Sequence, residues 1–524
     1  MGQRIYQFNI FGCMEKWMRI GVCTVVALVV ALSAFSQTSH PKREFRAAWV
    51  CTLANLDWPS KANLSSDVQK REFIAILNKL QRIGMNAVVV QVRPAGDAMY
   101  PSELSPWSQY LTGKQGKPPS PYYDPLEFMV EEAHKRNMEF HAWFNPFRAV
   151  SHVRFCSVTP DHPSRQHPDW CYLYGETKYY DPGVPDARHH LQSVIMEVVR
   201  KYDVDGIHLD DYFYPYPKKG EVIDDATTYA RYGGKYFATK GDWRRDNIDR
   251  FVKGLGDSIR MAKPWLKYGI SPFGVWRNRD EDARGSLTVR ALASYDGLYA
   301  DSRKWVQEGW VDYIAPQLYW NIDHPRASYR NLLTWWAELE TSRHVYVGHA
   351  TYLMSQATPP KWASTAEFLK QARMTRERPD IGGNIWFRSA SLVSNPQGIS
   401  EALRTKIYPY PAIPPAMPWR DSIPPLHPEA LQTAAVKNGV SVAWEKPGPA
   451  EDGQEVSYYI VYRFEGQKVY DMDDPRHIVS IQRGTKFFDS KVERGKEYCY
   501  VVTSVDRCHN ESSRFVYRRV RAAM

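Results

Sequence analysis

The alternation of apolar and polar positions along the chain repeats one theme. Short apolar runs at Phe45–Thr52, Ala87–Val92, Glu139–Phe144, Val204–Leu209, Tyr268–Phe273, Tyr313–Leu318, His344–Val347 and Ile381–Phe387 have the length and content of buried strands. Between them, Asp67–Ile83, Pro125–Asn137, Asp186–Tyr202, Trp243–Lys263, Ser302–Trp310, Ala327–Glu340 and Thr365–Arg378 place apolar residues at helical spacing. Strand and helix alternating eight times over predict an α/β fold, a (β/α)8 TIM barrel with enlarged loops. An open doubly wound sheet is the alternative, but it usually has fewer strands, and the chain shows no glycine-rich dinucleotide turn.

Both ends depart from this rhythm. At the start, Lys16 and Arg19 precede an apolar run from Ile20 to Phe35, and Ala34-Phe35-Ser36 offers small residues to a signal peptidase. The expectation is a signal peptide over 1–36 and a barrel over 37–408, with no later run apolar enough to span a bilayer. The mature chain is then exported, periplasmic or associated with the envelope. Prolines recur between Tyr408 and Pro428, so 409–428 reads as a stiff linker. Over 429–524, Trp444, the run Tyr458–Arg463 and the run Tyr498–Val502 resemble a fibronectin type III sandwich, with Tyr498 at the tyrosine corner. The resemblance implies a spacer or docking module whose partner is open.

The chemistry concentrates where the fourth strand ends, at Asp205-Gly206-Ile207-His208-Leu209-Asp210-Asp211-Tyr212-Phe213-Tyr214-Pro215. Alternation sends Ile207 and Leu209 to one face and His208, Asp210 and Tyr212 to the other. Adjacent acids raise each other's pKa, which suits proton transfer. Other strands also end in polar and aromatic residues, at the barrel end where active sites form. Asp210 and Asp211 are the catalytic candidates. Arg93, Asn145, His208, Tyr212, Gln317, Tyr319, Trp320 and Trp386 are the substrate-binding candidates, the tryptophans as stacking platforms for sugar rings. Acid–base chemistry shared between two carboxyl groups needs a second acid beside Asp210. Asp57, Asp97 and Asp181 are loop candidates for it beside Asp211, and a substrate N-acetyl group is a further route.

Composition narrows the partners. The formal net charge is +10, with 18 Trp, 33 Tyr and 20 Phe, a balance suited to a polysaccharide and to anionic cell-wall glycan. Without a dense Lys/Arg run or a nucleic-acid module, nucleic acid is not an expected partner. Five cysteines follow the leader at irregular spacing, so neither a disulfide framework nor a zinc cluster is expected, and Cys156–Cys171 is a candidate bridge. The stretch His152–His167 lacks regular ligand spacing, so neither metal nor cofactor is expected.

With these motifs assembled, residues 44 to about 410 resemble the bacterial glycosyl-hydrolase-like family ten. The segments that carry the resemblance are Asp205–Pro215, Trp243–Asn247, Ser271–Asn278 and Ala315–Trp320. It implies a (β/α)8 glycosidase acting on cell-wall glycan, with peptidoglycan stripped of stem peptides as the leading substrate class. More loosely, the fourth strand is similar to the Asp-Gly-x-Asp-x-Asp-x-Glu signature of chitinase-type barrels. His208 and Tyr212 replace two of its acids, so that mechanism does not transfer intact. The rival reading is a lectin-like barrel that binds glycan without cleaving it.

Overall fold

The computed structural model describes residues 40–156 and 158–523; the leader expected at 1–36 lies outside them. Eight parallel strands close into a barrel: β1 (Phe45–Val50), β2 (Ala87–Arg93), β3 (Glu139–Phe144), β4 (Gly206–Leu209), β5 (Lys267–Ile270), β6 (Tyr313–Ile314), β7 (His344–His349) and β8 (Ile381–Trp386). Each strand pairs with its neighbours in sequence, and β1 closes the ring against β8, with Ala47 opposite Ile385. Helices α1 (Ser66–Ile83), α2 (Pro125–His134), α3 (Pro185–Lys201), α4 (Lys240–Ala262), α5 (Ser302–Gln307), α6 (Tyr329–Ala337) and α7 (Thr365–Arg376) follow the seven predicted stretches. Their ends follow local chemistry. Asp124 caps α2 by accepting from the Leu126 and Glu127 amides, with Pro125 in the first turn, and α1 stops at Gly84, whose φ of 100° favours glycine.

Strand alternation separates two cores. Val88, Val90, Ala142, Phe144, Ile207 and Leu209 face the helices, while Ala47, Trp49, Val89, Trp143, Tyr313, Tyr346 and Ile385 fill the lumen. Large lumen rings need small neighbours. A Cβ on Gly206 would lie 2.6 Å from His141 Nδ1, and one on Gly269 would lie 2.1 Å from the Tyr313 ring. Gly269→Ala is therefore expected to lower Tm by several degrees in thermal denaturation, since overpacking of this kind costs about 1–3 kcal/mol or more. An unchanged Tm would show that the Tyr313 ring shifts freely.

A buried polar column runs down the lumen. The Trp49 indole donates to His208 Nε2 at 3.1 Å, and His208 Nδ1 lies 2.9 Å from the Tyr313 hydroxyl. Tyr313 in turn lies 2.8 Å from His141 Nδ1, whose Nε2 is 3.1 Å from Glu139. Because an indole only donates, His208 Nε2 is assigned as an acceptor and Nδ1 as the protonated nitrogen. Burial holds the His208 pKa well below its ordinary value, so the ring is neutral.

Beyond residue 428, β9 (Glu429–Val436), β10 (Gly439–Glu445), β11 (Tyr458–Glu465), β12 (Ile478–Gln482), β13 (Lys486–Asp489), β14 (Glu497–Val505) and β15 (Val516–Arg521) form two antiparallel sheets, ordered β9-β10-β13 and β12-β11-β14-β15. Trp444, Tyr459, Val461, Tyr500 and Val502 belong to the core between them. The Glu493 amide donates to the Tyr498 hydroxyl at 2.9 Å, the backbone contact that defines a tyrosine corner.

The proline-rich stretch expected as a stiff linker is packed against both the barrel and the sandwich. Ile413 is fully buried, pairing by backbone with Lys42 and Glu44 while packing in a core with Tyr458 and Ile460. Arg420 binds Asp312 through both carboxylate oxygens at 2.6 Å, and Met417 donates to the Cys508 carbonyl. Prolines stiffen a chain but do not keep it away from a surface, and here buried side chains hold it between barrel and sandwich. Cys156 and Cys171 also depart from the expected bridge: both are free thiols, Cys156 lying beside Gln109 and Ser151 instead.

Candidate active site

The β4 strand ends where its alternation matters most. Asp210 follows His208 on the lumen side and is only 5% exposed. Its Oδ2 accepts from the Trp143 indole and the Asn145 amide, each at 3.0 Å, and its Oδ1 takes a longer contact of 3.3 Å from the Tyr212 backbone amide. The first two donors fix the carboxyl plane and leave Oδ1 as the oxygen better able to carry a proton. Burial raises the pKa to about 7 despite the opposing charge of Arg148, with Asp211 adding to the rise. Asp210 thus exchanges a proton near neutral pH, as a general acid requires.

Asp211 has different partners. The Tyr216 hydroxyl donates to it, and its pKa is raised by burial while hydrogen bonds from Tyr216 and Gln317 pull it back. It is the carboxylate whose charge acts on Asp210. The other candidate acids are engaged elsewhere. Asp57 accepts from the Cys51 and Ala390 amides at 2.8 and 3.1 Å and pairs with Arg388, clamping the β1 and β8 loops together. Asp97 accepts from Gln115 at 3.2 Å, and Asp181 accepts from the Gly183 amide at 2.7 Å.

Arg148, which opens the excursion after β3, is buried with its guanidinium 4.6 Å from the Tyr212 ring centre. Burial opposes its charge, but Asp210 and then Tyr212 more than restore it, leaving its pKa raised. Arg148→Met should therefore raise the Asp210 pKa further, moving the alkaline limb of the kcat/KM pH profile up by about one unit. An unmoved limb would show that Arg148 does not act on the titrating group.

Aromatic rings line the mouth. One set runs through Tyr212, Tyr216, Phe273 and Trp320, with centroids 5.3, 6.0 and 5.5 Å apart. A second joins Tyr319, Tyr352 and Phe387 at 5.4–6.1 Å. All seven are partly exposed, so their faces can meet the apolar faces of sugar rings. A three-stranded antiparallel sheet formed by Arg148–Val150, Cys171–Tyr174 and Thr177–Tyr180 builds part of the excursion after β3. The excursion after β4 is tied down by a bidentate Arg244–Asp225 pair at 2.7 and 2.8 Å.

The expected substrate-binding residues divide by strand direction. Tyr212, Gln317, Tyr319 and Trp320 are partly exposed. Gln317 donates to the Ser271 carbonyl at 2.9 Å. Asn145 is fully buried and serves Asp210 rather than the cleft. His208, equally buried, belongs to the lumen column. The Arg93 guanidinium, 1% exposed, donates to the Asn145 and Pro146 carbonyls and lies 5.9 Å from the Tyr180 ring centre, supporting the loop from beneath. Trp386 corrects the stacking expectation most plainly. Its neighbour Ile385 takes the lumen side, so Trp386 turns outward, stacks on His349 and donates to the Tyr408 hydroxyl at 3.1 Å. Sequence reasoning passed over Trp143, Arg148 and Tyr216. The inward alternation of β3 through His141, Trp143 and Asn145 is the signal that finds Trp143.

The family model described as glycosyl hydrolase-like 10 matches residues 44–364. The chain is similar to the glycosyl hydrolase YngK of Bacillus subtilis (strain 168), 43% identical over 507 residues that cover 95% of this chain and 98% of that protein. It is also similar to the glycosyl hydrolase DigH of Escherichia coli (strain K12), 40% identical over 374 residues, 67% of this chain and 84% of that one. The solved glycoside hydrolase domain of PgaB (BpsB) from Bordetella bronchiseptica aligns at a TM-score of 0.47 and 14% identity, over 69% of this chain and 98% of that domain. From the family match and the two relatives, the chain belongs to the glycosyl hydrolase-like 10 family and is a glycoside hydrolase.

Proposed function

We propose that the mature protein is exported and hydrolyses an amino-sugar glycan of the cell wall, peptidoglycan strands stripped of their stem peptides. The observation that carries this reading is Asp210, fixed by Trp143 and Asn145 with a pKa raised to about 7 in an aromatic-lined barrel mouth. Protonated Asp210 donates its proton to the glycosidic oxygen as the bond from that oxygen to the anomeric carbon breaks. Asp211, or the N-acetyl oxygen that Gln317 and Tyr319 would hold, offsets the positive charge developing on the sugar. Water then adds to the anomeric carbon, its proton returning to Asp210. Arg148 beside the acid suits a substrate that carries a lactyl carboxylate. The leader read at 1–36 supports export.

Purified peptidoglycan, with and without prior removal of stem peptides, tests the reading. New reducing ends from the wild type on stripped strands, and none from Asp210→Asn, are expected. Retained binding without cleavage of either material by the wild type would overturn the substrate assignment.

A further inference from the structure

At the barrel end opposite Asp210, a cleft of about 620 Å³ opens between the starts of the strands and the sandwich. Barrel residues Arg82, Arg136 and Arg404 line it, and the sandwich contributes Arg483 and Arg507. A neighbouring depression of about 450 Å³ adds Lys79. The two lie side by side, with Arg82 and Arg404 common to both linings.

Its charge is not internally matched. The acids that line it are already committed, Glu139 to Lys267 at 2.5 Å, Asp205 to His134 at 2.7 Å and Glu401 to Arg404. Arg136 and Arg507 are held by Glu132 and Asp203. The side chains of Arg82 and Arg483 form no hydrogen bond or ion pair among the described residues, whereas the charge of Lys79 acts on Glu401. Arg82 and Arg483 are exposed, one on the barrel and one on the sandwich. Pro409, Tyr410 and Pro411 supply a largely apolar wall beside these charges.

We propose that this groove is an accessory binding site for a carboxylate-bearing glycan, separate from the catalytic mouth. A polymer with repeated carboxylates can meet cations in both adjacent depressions, where a single anion meets those of one. Ring faces suit the proline and tyrosine wall, and carboxylates suit the unmatched cations. The site gives the sandwich a task, since the groove is incomplete without Arg483 and Arg507. It does not depend on which glycan the catalytic mouth cleaves.

The test is calorimetric titration of the mature protein with an oligogalacturonate of about ten sugars, beside a neutral chito-oligosaccharide and a polyglutamate peptide as controls. The probe carries the carboxylates of the proposed ligand class whether or not it is a substrate. Arg82→Ala/Arg483→Ala is expected to weaken oligogalacturonate binding at least tenfold and to reduce its salt dependence. Its Tm and its cleavage of short fragments of stripped peptidoglycan, the substrate proposed for the catalytic mouth, should match the wild type. Equal affinity in the two proteins overturns the proposal, and polyglutamate binding as tight as the glycan would reassign the groove to acidic peptides. Because cleavage is read separately, failure of the catalytic reading and failure of this site give different results.

Discussion

Asp210→Asn is expected to lower kcat on a cleavable glycan by about 10²–10⁴-fold while leaving glycan binding close to wild type. Asparagine keeps the shape and can turn its oxygen toward Trp143 and Asn145, but it has no proton to give. In the wild type, kcat/KM should fall as pH rises through about 7, where Asp210 loses its proton. The same substitution carries an opposite signature in stability. A carboxyl whose folded pKa lies above its ordinary value is ionised at a cost, which is absent in acid and complete above pH 7. Asp210→Asn should therefore raise Tm at pH 8 and leave it nearly unchanged at pH 4. A kcat within a few-fold of wild type would remove Asp210 from the chemistry. A lower Tm at pH 8 would show that the site needs the carboxylate for its structure.

Removing residues 409–524 is expected to destabilise the barrel severely, giving an insoluble product or a Tm lower by more than about 10 °C. Truncation strips Arg420 from buried Asp312, and leaving such a partner unpaired costs about 3–5 kcal/mol. It also removes His509 from Glu139, Arg507 from Asp203 and Ile413 from its backbone pairing with Lys42 and Glu44. A tethered module would leave the barrel's Tm unchanged, so the measurement separates the two arrangements. The junction is also sensitive to acid. Burial, with Lys267 nearby, depresses the His509 pKa to about 4, so unfolding favours protonating it once pH drops below its ordinary 6.5. Glu139 acts in the same direction at lower pH. Although burial alone would raise its pKa, Lys267 and His509 hold it well below the ordinary value, and its contribution is lost as acid protonates it. Tm should fall progressively from pH 6.5 downward, and a flat profile would place neither group in the interface.

The contrast between Trp320 and Trp386 shows why strand ends were only partly legible. Both are tryptophans near the carboxyl end of a barrel strand, and composition gives no reason to separate them. The β8 strand continues through Trp386, so alternation forces that ring outward against His349, whereas Trp320 lies in the loop after β6 and stays partly exposed. Alternation applied residue by residue resolves Trp386. The sense of a loop side chain depends on a backbone path that no short-range period describes.

Sequence by itself determined the eight strands, the helices between them, the family and the inward face of His208 and Asp210. Apolar periodicity and strand alternation are local, and a barrel only repeats them. Tertiary structure alone decided what Asp210 touches, because Trp143 and Asn145 reach it from a strand more than sixty residues away. It also decided that Asp57, Asp97 and Asp181 brace loops, and that the proline-rich stretch binds the sandwich to the barrel floor. Each of these rests on contacts between segments distant along the chain, set by closure of the barrel and folding of its loops, for which the local pattern carries no signal.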